Sequence, residues 1–188
     1  ALEVCEGQQY DIDFETRDDV SILDYLKMIE YKTAVLVAAA MKMGAIIAGA
    51  SEDDQNRCYE FGKNLGIAFQ LQDDYLDAFG NPETFGKQVG GDIIENKKTY
   101  LYLKALEFSS ENDKQQLKHL FSSENNDLEG KVEIVKQIFT ASGAAEATKK
   151  AINSYTKKAF EVLQVITISN KNKQILQDFG TQLMTRDV

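Results

Sequence analysis

Apolar residues recur along this chain every three or four positions, and short runs of turn-forming residues interrupt the pattern. Ser51 followed by Asp54 is typical of a helix start, because each side chain can hydrogen-bond to the other residue's backbone N–H. From there the apolar spacing continues to Phe79, where a glycine and the only proline of the sequence end it. Ser21 and Asp24 mark an earlier start of the same kind. The pattern predicts a chain built almost entirely from helices.

The turn residues also set the bounds of the other predicted helices. The interval 80–91 contains four glycines and the proline, and it is therefore predicted to be the clearest loop. Helices are predicted over residues 2–15, 21–49 with a bend at 32–33, 51–79, 92–106, 111–121, 128–141, 143–168 and 171–185.

Length and composition agree with a single all-α domain that spans residues 1–188. A chain of 188 residues, 43% of them hydrophobic, can bury one sizeable core. One proline among abundant Ala, Leu, Lys and Glu favours helices. The net charge of -9 argues against nucleic acid or an anionic membrane surface as the partner. An anionic ligand would therefore need a local group of cations or a metal ion.

Neither membrane insertion nor a disulfide framework is indicated. The apolar segment 33–50 has Lys42 near its middle, and a charge at that depth of a bilayer is costly, so we expect a buried or half-buried helix. Cys5 and Cys58 lie outside any metal-binding motif and are expected to be reduced thiols. Reduced thiols are typical of a cytoplasmic protein. No signal peptide is visible. The start at Ala1 leads us to expect a fragment or a processed form.

The predicted helix 51–79 contains three carboxylates, Asp73, Asp74 and Asp77, in a stretch of only five residues. Asp73 and Asp77 stand one turn apart on one helix face, with Asp74 beside them. Like charges at this spacing repel, and Asp is a poor helix former. Apolar neighbours such as Leu71 and Leu76 argue against an ordinary solvated face. The trio predicts a site for a hard cation, namely Mg²⁺, or Mn²⁺ in its place.

Cationic residues follow the acidic trio along the chain. Lys87 lies in the glycine-rich loop, and Lys97 and Lys98 lie in the first turns of the next predicted helix. The helix dipole disfavours a cation at that position, which suggests that one of these two lysines faces a ligand. A metal on the carboxylates can bridge a diphosphate, while lysines bind its remaining oxygens. The sequence therefore predicts a diphosphate site.

These residues resemble those of a known family, the trans-isoprenyl diphosphate synthases, also called the polyprenyl synthetase family. The resemblance rests on four short elements, which occur in family order between residues 7 and 98. They are Gly7-Gln8-Gln9-Tyr10-Asp11, like the G-Q-x-x-D element; Tyr31-Lys32-Thr33-Ala34, like the K-T element; Phe69 to Asp77, like the second aspartate-rich region; and Gly86-Lys87 with Gly90-Gly91-Asp92 and Lys97, which follow that region.

The resemblance implies an isoprenoid-synthase-type bundle of helices around a central cavity, usually as a homodimer. It also implies a Mg²⁺-dependent prenyltransferase that joins an allylic diphosphate to isopentenyl diphosphate by 1′-4 head-to-tail condensation. The products would be short- or medium-chain all-trans polyprenyl diphosphates, such as farnesyl or geranylgeranyl diphosphate. Small-molecule diphosphates, and no nucleic acid, would be the partners.

The resemblance assigns a role to each residue that matches a family element. There are four such roles: metal binding, diphosphate binding, stabilisation of the carbocation and lining of the cavity. They fall on Asp73, Asp74 and Asp77 for the metal; on Lys87 and Lys97, with Lys32 beside them, for the diphosphate; on Thr33 and Gln70 for the carbocation; and on Gln8 and Asp11 for the cavity, whereas Lys98 is expected to point elsewhere.

Two family elements have no counterpart in this chain. The first aspartate-rich motif, DDxxD, is absent, because Asp18-Asp19 is followed by Asp24 at the wrong spacing. The upstream Gly-Lys-Arg element, which binds isopentenyl diphosphate in the family, is absent as well. We therefore expect this chain to be the C-terminal part of a longer enzyme that has further N-terminal helices. By itself the chain should not catalyse condensation.

Two other functions stay open at this stage. One is a non-catalytic member of the same family that binds diphosphate or serves as a regulatory subunit. The other is a terpene cyclase, which also uses Mg²⁺ and a diphosphate on a helical fold. The cyclase fits less well, because the elements Lys32-Thr33 and Gly86-Lys87 belong to the chain-elongating branch.

Overall fold

The computed structural model describes residues 1–81, 89–122 and 127–185, and no strand occurs among them. The prediction of an all-α fold is confirmed. The elements in chain order are α1 (Leu2–Thr16), α2 (Ile22–Ile29), one π-helical turn (Glu30–Ala34), α3 (Val35–Ile47), α4 (Glu52–Phe79), α5 (Gly91–Ile94), α6 (Tyr100–Phe108), α7 (Glu111–Ser122), α8 (Leu128–Ala141), α9 (Ala144–Val165) and α10 (Asn170–Met184).

Both predicted helix starts have the expected capping contacts. The N–H of Ser21 donates to Asp24 Oδ2 at 3.0 Å, and the N–H of Asp24 donates to Ser21 Oγ at 3.1 Å. The N–H of Asp54 likewise donates to Ser51 Oγ at 3.2 Å. The helix α4 that follows Ser51 covers 28 residues and ends at Phe79, as predicted.

The prediction of one continuous helix over residues 92–106 is wrong. The chain forms the short helix α5, then a turn, and then α6. Asn96 has a φ of 60°, in the left-handed region where a helix ends. Asn adopts this conformation more readily than most residues, because its short polar side chain can hydrogen-bond locally. Lys97 and Lys98 therefore lie between the two helices and not in the first turns of a helix.

The residues group into two compact units, and α4 contributes to both, with the boundary after Gln70. Unit 1 comprises Ala1–Asp11, Leu26–Gln70 and the chain from Ala151 through α10. Unit 2 comprises Ile12–Tyr25 and the described residues of Leu71–Lys150. The interpretation of residues 1–188 as one domain stays a prediction.

Unit 1 has its core between the first half of α4 and the second half of α9. One cluster of fully buried side chains there consists of Phe61, Leu65, Ala159, Leu163 and Ile166. Burial of these apolar groups is the main stabilising contribution in this unit.

Small residues let the backbones of unit 1 approach one another closely. A Cβ added to Gly66 on α4 would lie 2.6 Å from Ala34 Cα. A Cβ added to Gly62, one turn earlier, would lie 2.9 Å from Ala38 Cα on α3. On α1, a Cβ at Gly7 would be 2.2 Å from the backbone nitrogen of Lys32. Glycine is therefore required where these helices meet.

Unit 2 is built around α6, α7 and α8, which pack against one another. The rings of Tyr102 on α6 and Phe121 on α7 have their centroids 4.3 Å apart. The helix α5 also packs against α8, so the short helix is fixed by tertiary contacts and not by its own length. The buried apolar side chains at the centre of the unit include Leu101, Leu117, Phe121, Val135 and Phe139.

The apolar segment 33–50 becomes α3, and no helix in the described part of the chain is long and apolar enough to cross a membrane. One side of α3 is buried at Val35 and Ala38, whereas Ile47 is 87% exposed. Lys42 donates to Asn56 Oδ1 at 2.8 Å. The helix is thus half-buried, as predicted. Both cysteines are free thiols.

The same substitution at two glycines of unit 1 should have opposite effects. We expect Gly66→Ala to destabilise the protein by about 1–3 kcal/mol, because the new methyl group overlaps the backbone of Ala34. Gly44→Ala on α3 should stabilise by about 0.5–1 kcal/mol, because nothing lies near its added Cβ and Ala favours the helix. Thermal unfolding followed by circular dichroism measures both, and equal shifts would contradict the close packing.

Candidate functional site

The buried carboxylate of Asp74 is held by a tyrosine. Asp74 is 7% exposed, and its Oδ2 accepts a hydrogen bond from the hydroxyl of Tyr25 at 2.6 Å. Tyr25 itself is 1% exposed and contacts the ring of Tyr100, with 6.0 Å between centroids. The tyrosine thus fixes the direction of the Asp74 side chain. Sequence reasoning missed Tyr25, since nothing in its spacing marks it.

Asp77, at the end of α4, holds the start of α5 in place. Its Oδ2 accepts from the N–H of Asp92 at 2.9 Å, and its backbone carbonyl accepts from the N–H of Gly90 at 2.6 Å. Gly90 has a φ of 88°, and a Cβ added to Gly91 would lie 3.2 Å from Asp77 Oδ1. The positive φ at position 90 therefore favours glycine, and a Cβ at position 91 would fit only tightly beside the Asp77 carboxylate.

Burial raises the pKa of Asp77 from 3.8 to about 6, and the neighbouring negative charge of Asp92 adds to the increase. Asp73, one turn earlier on the same helix, contributes in the same direction, whereas the N–H of Asp92 and the charge of Lys97 oppose it. Asp73 is half-buried and makes no hydrogen bond or ion pair with the described residues. A cation at this end of α4 would relieve the repulsion among these carboxylates.

Lys97 lies beside the acidic residues of unit 2. Its ammonium group is 3.0 Å from Asp92 Oδ1 and 2.9 Å from Glu95 Oε2. Burial lowers the pKa of Lys97, but the bonds to Glu95 and Asp92 outweigh it and hold the pKa above its usual value. Lys98 instead packs over the rings of Tyr102 and Phe121, at 5.3 and 5.6 Å from their centroids. Only the first lysine of the pair contacts the acidic group.

The remaining predicted site residues that the structure describes belong to unit 1. Lys32 forms an ion pair with Asp11 in which both side chains are largely buried. The hydroxyl of Thr33 donates to Gln70 Oε1 at 2.8 Å. Gln8 is exposed. These contacts join the G-Q-x-x-D element to the K-T element, and the K-T element to α4.

Lys87 and the glycine before it lie outside the described residues, so the position predicted for Lys87 remains a prediction. The glycine packing at Gly62 and Gly66 was also missed from the sequence. Its signal was present, since Gly62 and Gly66 are four residues apart, as are Ala34 and Ala38. Small residues at that interval are typical of helices whose backbones touch.

In the described ranges, no group of three or more acidic, histidine or cysteine side chains could hold a metal ion by itself. The carboxylates of α4 nevertheless have the oxygen chemistry that a hard divalent cation prefers. Mg²⁺ seldom uses an all-protein cage, because it dehydrates reluctantly. It usually takes one or two carboxylates together with water and substrate phosphates. Asp73, Asp74 and Asp77 offer oxygen atoms of that kind.

Comparison with known proteins identifies the family. The family model described as polyprenyl synthetase matches residues 1–139. The chain therefore belongs to the polyprenyl synthetase family, and the fold predicted from the resemblance is confirmed.

Individual relatives agree with this assignment. The short chain isoprenyl diphosphate synthase of Methanothermobacter thermautotrophicus is 38% identical over 93% of this chain and 53% of its own length. A crystal structure of a geranylgeranyl pyrophosphate synthase is 55% identical, with a TM-score of 0.92 over 100% of this chain and 58% of that one. The chain spans about half the length of the curated relatives it matches.

A second similar solved structure is that of an enzyme in complex with ligands. It is the polyprenyl synthase from Caulobacter crescentus CB15 complexed with calcium and isoprenyl diphosphate. It is 30% identical to this chain, with a TM-score of 0.91 over 100% of this chain and 56% of that one.

The raised pKa of Asp77 gives a testable pH dependence of stability in the metal-free protein. Between about pH 4 and 6 the folded state keeps the Asp77 proton, whereas the unfolded state has lost it. The stability of the wild type relative to Asp77→Asn should therefore fall across this range and stay constant above it. Denaturant unfolding of both proteins in EDTA measures the difference. A difference that rises with pH would contradict the burial of this carboxylate.

Proposed function

We propose that the protein is a Mg²⁺-dependent trans-prenyltransferase that condenses an allylic diphosphate with isopentenyl diphosphate. The products would be short- or medium-chain all-trans polyprenyl diphosphates. The observation that carries the proposal is the charged group of unit 2. There, Asp77 and Lys97 both contact Asp92, while Asp73 makes no hydrogen bond or ion pair with the described residues.

The carboxylates of α4 and the lysines have complementary tasks toward a diphosphate. Asp73, Asp74 and Asp77 would hold the metal, which when bound supplies positive charge to the leaving diphosphate. Lys97 keeps its charge at neutral pH although it is partly buried, because its acidic neighbours hold its pKa above the usual value. Its ammonium group can therefore bind a phosphate oxygen as a point charge. Lys87 is proposed to act in the same way.

By the family resemblance, Lys32 is also proposed to bind the allylic diphosphate. Its ion pair with Asp11 keeps the ammonium group in one place while the side chain is only 25% exposed. A partly buried cation interacts with an anion more strongly than a fully hydrated one. Lys32 is therefore suited to bind the allylic diphosphate, and Asp11 is suited to position Lys32.

Chain elongation begins when the bond between the allylic carbon and the diphosphate oxygen breaks, and the electron pair leaves with diphosphate. Positive charge develops on the allylic carbons. The hydroxyl of Thr33 donates its own hydrogen to Gln70, so the lone pairs of the Thr33 oxygen are available to that charge. The alkene of isopentenyl diphosphate then forms the new carbon–carbon bond, and loss of a proton restores a double bond.

The relatives support the same proposal. One acts as a short chain isoprenyl diphosphate synthase, and another was crystallised with calcium and isoprenyl diphosphate. Calcium is a hard cation that takes oxygen ligands, as Mg²⁺ does. By the family resemblance we also infer a homodimer located in the cytoplasm. The 188 residues alone should bind diphosphate without condensing it, because they contain no counterpart of the family's first aspartate-rich motif.

Loss of one metal-binding carboxylate should abolish most of the activity. In the protein that carries this chain, Asp73→Ala or Asp74→Ala should lower turnover by about 10² or more, because the charge on the leaving group loses its support. The control is Asp53→Ala, an exposed aspartate at the start of the same helix, which should leave turnover unchanged. Product formation from an allylic diphosphate and isopentenyl diphosphate measures the effect. Equal activity of all the variants would contradict the metal assignment.

Binding of inorganic diphosphate should require Mg²⁺ and should be stronger when Lys97 is present. Calorimetry should detect binding in Mg²⁺ and none in EDTA, since the anion alone would meet the carboxylates of α4. Lys97→Met should weaken the binding about tenfold, through the loss of one charge-assisted contact. The matched control is Lys118→Met, an exposed lysine of α7. Binding that is independent of Mg²⁺ would count against the proposal.

A further inference from the structure

A left-handed residue sets the direction of the chain just before Lys97. Asn96 is the position after the end of α5, and its φ of 60° is unusual for a residue other than glycine. The N–H of Asn96 donates to the carbonyl of Ile93 at 3.2 Å, and the N–H of Lys97 donates to the carbonyl of Asp92 at 2.9 Å. These two bonds form the Schellman motif that ends a helix. The backbone of Lys97 is thus part of the motif.

A buried lysine from α8 holds this motif. Lys131 is 2% exposed, and its ammonium group donates to Asn96 Oδ1 at 2.6 Å and to the carbonyl of Ile94 at 3.4 Å. It also lies 5.3 Å from the ring centroid of Phe121. No carboxylate in the described ranges forms an ion pair with it. Within the described residues, the hydrogen bonds of the Lys131 ammonium group therefore all go to residues of the turn that ends α5.

Burying this charge is costly, which indicates that the ammonium group has a task. Lysines are almost never fully buried without a partner of opposite charge, and a Met or Leu would fill the same space more favourably. Burial lowers the pKa of Lys131, and the nearby charge of Lys98 lowers it further. The hydrogen bond to the side chain of Asn96 ties that side chain to α8. Since α5 also packs against α8, the whole turn is fixed to one helix.

We infer that Lys131 is a positioning residue for Lys97. By holding Asn96 in its left-handed conformation, Lys131 sets where the chain leaves α5. It thereby sets where the ammonium group of Lys97 meets Asp92 and the diphosphate. This inference rests on the proposed function, because it requires Lys97 to bind the diphosphate. Lys131 itself forms no ion pair with the carboxylates of α4 in the described ranges, and it is not proposed to touch the substrate.

Two variants test the inference from opposite ends of the same hydrogen bond. Lys131→Met removes the donor and keeps an apolar side chain of similar length in the buried position. Asn96→Gly removes the acceptor and keeps a residue that adopts a positive φ without strain. Both should weaken Mg²⁺-dependent binding of inorganic diphosphate and raise the KM for the allylic diphosphate by about tenfold, as expected for a displaced binding group. Turnover at saturation should change less than about threefold.

The double variant separates a positioning role from a general packing role. If Lys131 acts through Asn96, adding Lys131→Met to Asn96→Gly should weaken diphosphate binding no further. Additive losses in the double variant would overturn the inference, as would an Asn96→Gly protein that binds diphosphate normally. Lys118→Met serves as the control for removal of a lysine from this unit. Circular dichroism melting confirms that the variants compared are folded.

Lys97→Met, measured beside them, distinguishes this inference from the proposed function. If Lys97→Met weakens diphosphate binding while Lys131→Met and Asn96→Gly do not, the positioning role fails and the function stands. If Lys97→Met itself has no effect, the proposed function of Lys97 fails, and the positioning role fails with it.

Discussion

Crowding of negative charge at the end of α4 is the constraint on which the arrangement of unit 2 depends. Asp73 and Asp77 are one turn apart, and Asp92 adds a third carboxylate next to Asp77. In a half-buried position such a group would be unstable without compensation. Two compensations are visible, the N–H of Asp92 and the ammonium group of Lys97. Each requires the chain to return close to α4, where Gly90 has a positive φ and the missing side chain of Gly91 leaves room beside Asp77 Oδ1.

A different constraint governs unit 1, where distance between backbones matters more than charge. Thr33 and Gln70 can hydrogen-bond only because the π-helical turn approaches α4 closely, and that approach is possible because Gly66 has no side chain to meet Ala34. Gly7 has the same relation to Lys32. The glycine of the G-Q-x-x-D element is thus explained by packing, and the ion pair between Asp11 and Lys32 follows from it.

Much of this could be predicted from the sequence, because the signals were local. Capping pairs such as Ser51 and Asp54 and the spacing of apolar residues gave the bounds of α4 to within about one residue. The break after α5 was not predicted, because the apolar pattern continues through it and only Asn96 interrupts it. Tyr25 and Lys131 were also missed. Their partners Asp74 and Asn96 are 49 and 35 residues away, and no local pattern records such a contact.

The two buried polar residues that sequence reasoning missed, Tyr25 and Lys131, share a physical property. Tyr25 and Lys131 are almost fully buried, yet each directs a polar group toward a residue next to the charged cluster and not into an apolar core. A buried polar group must be hydrogen-bonded, so its partner is fixed as firmly as the surrounding packing. The orientation of Asp74 and the turn before Lys97 are therefore determined by α2 and α8. The helix α4 supplies the carboxylates, but α2 and α8, which are distant from their partners in sequence, orient Asp74 and the turn before Lys97.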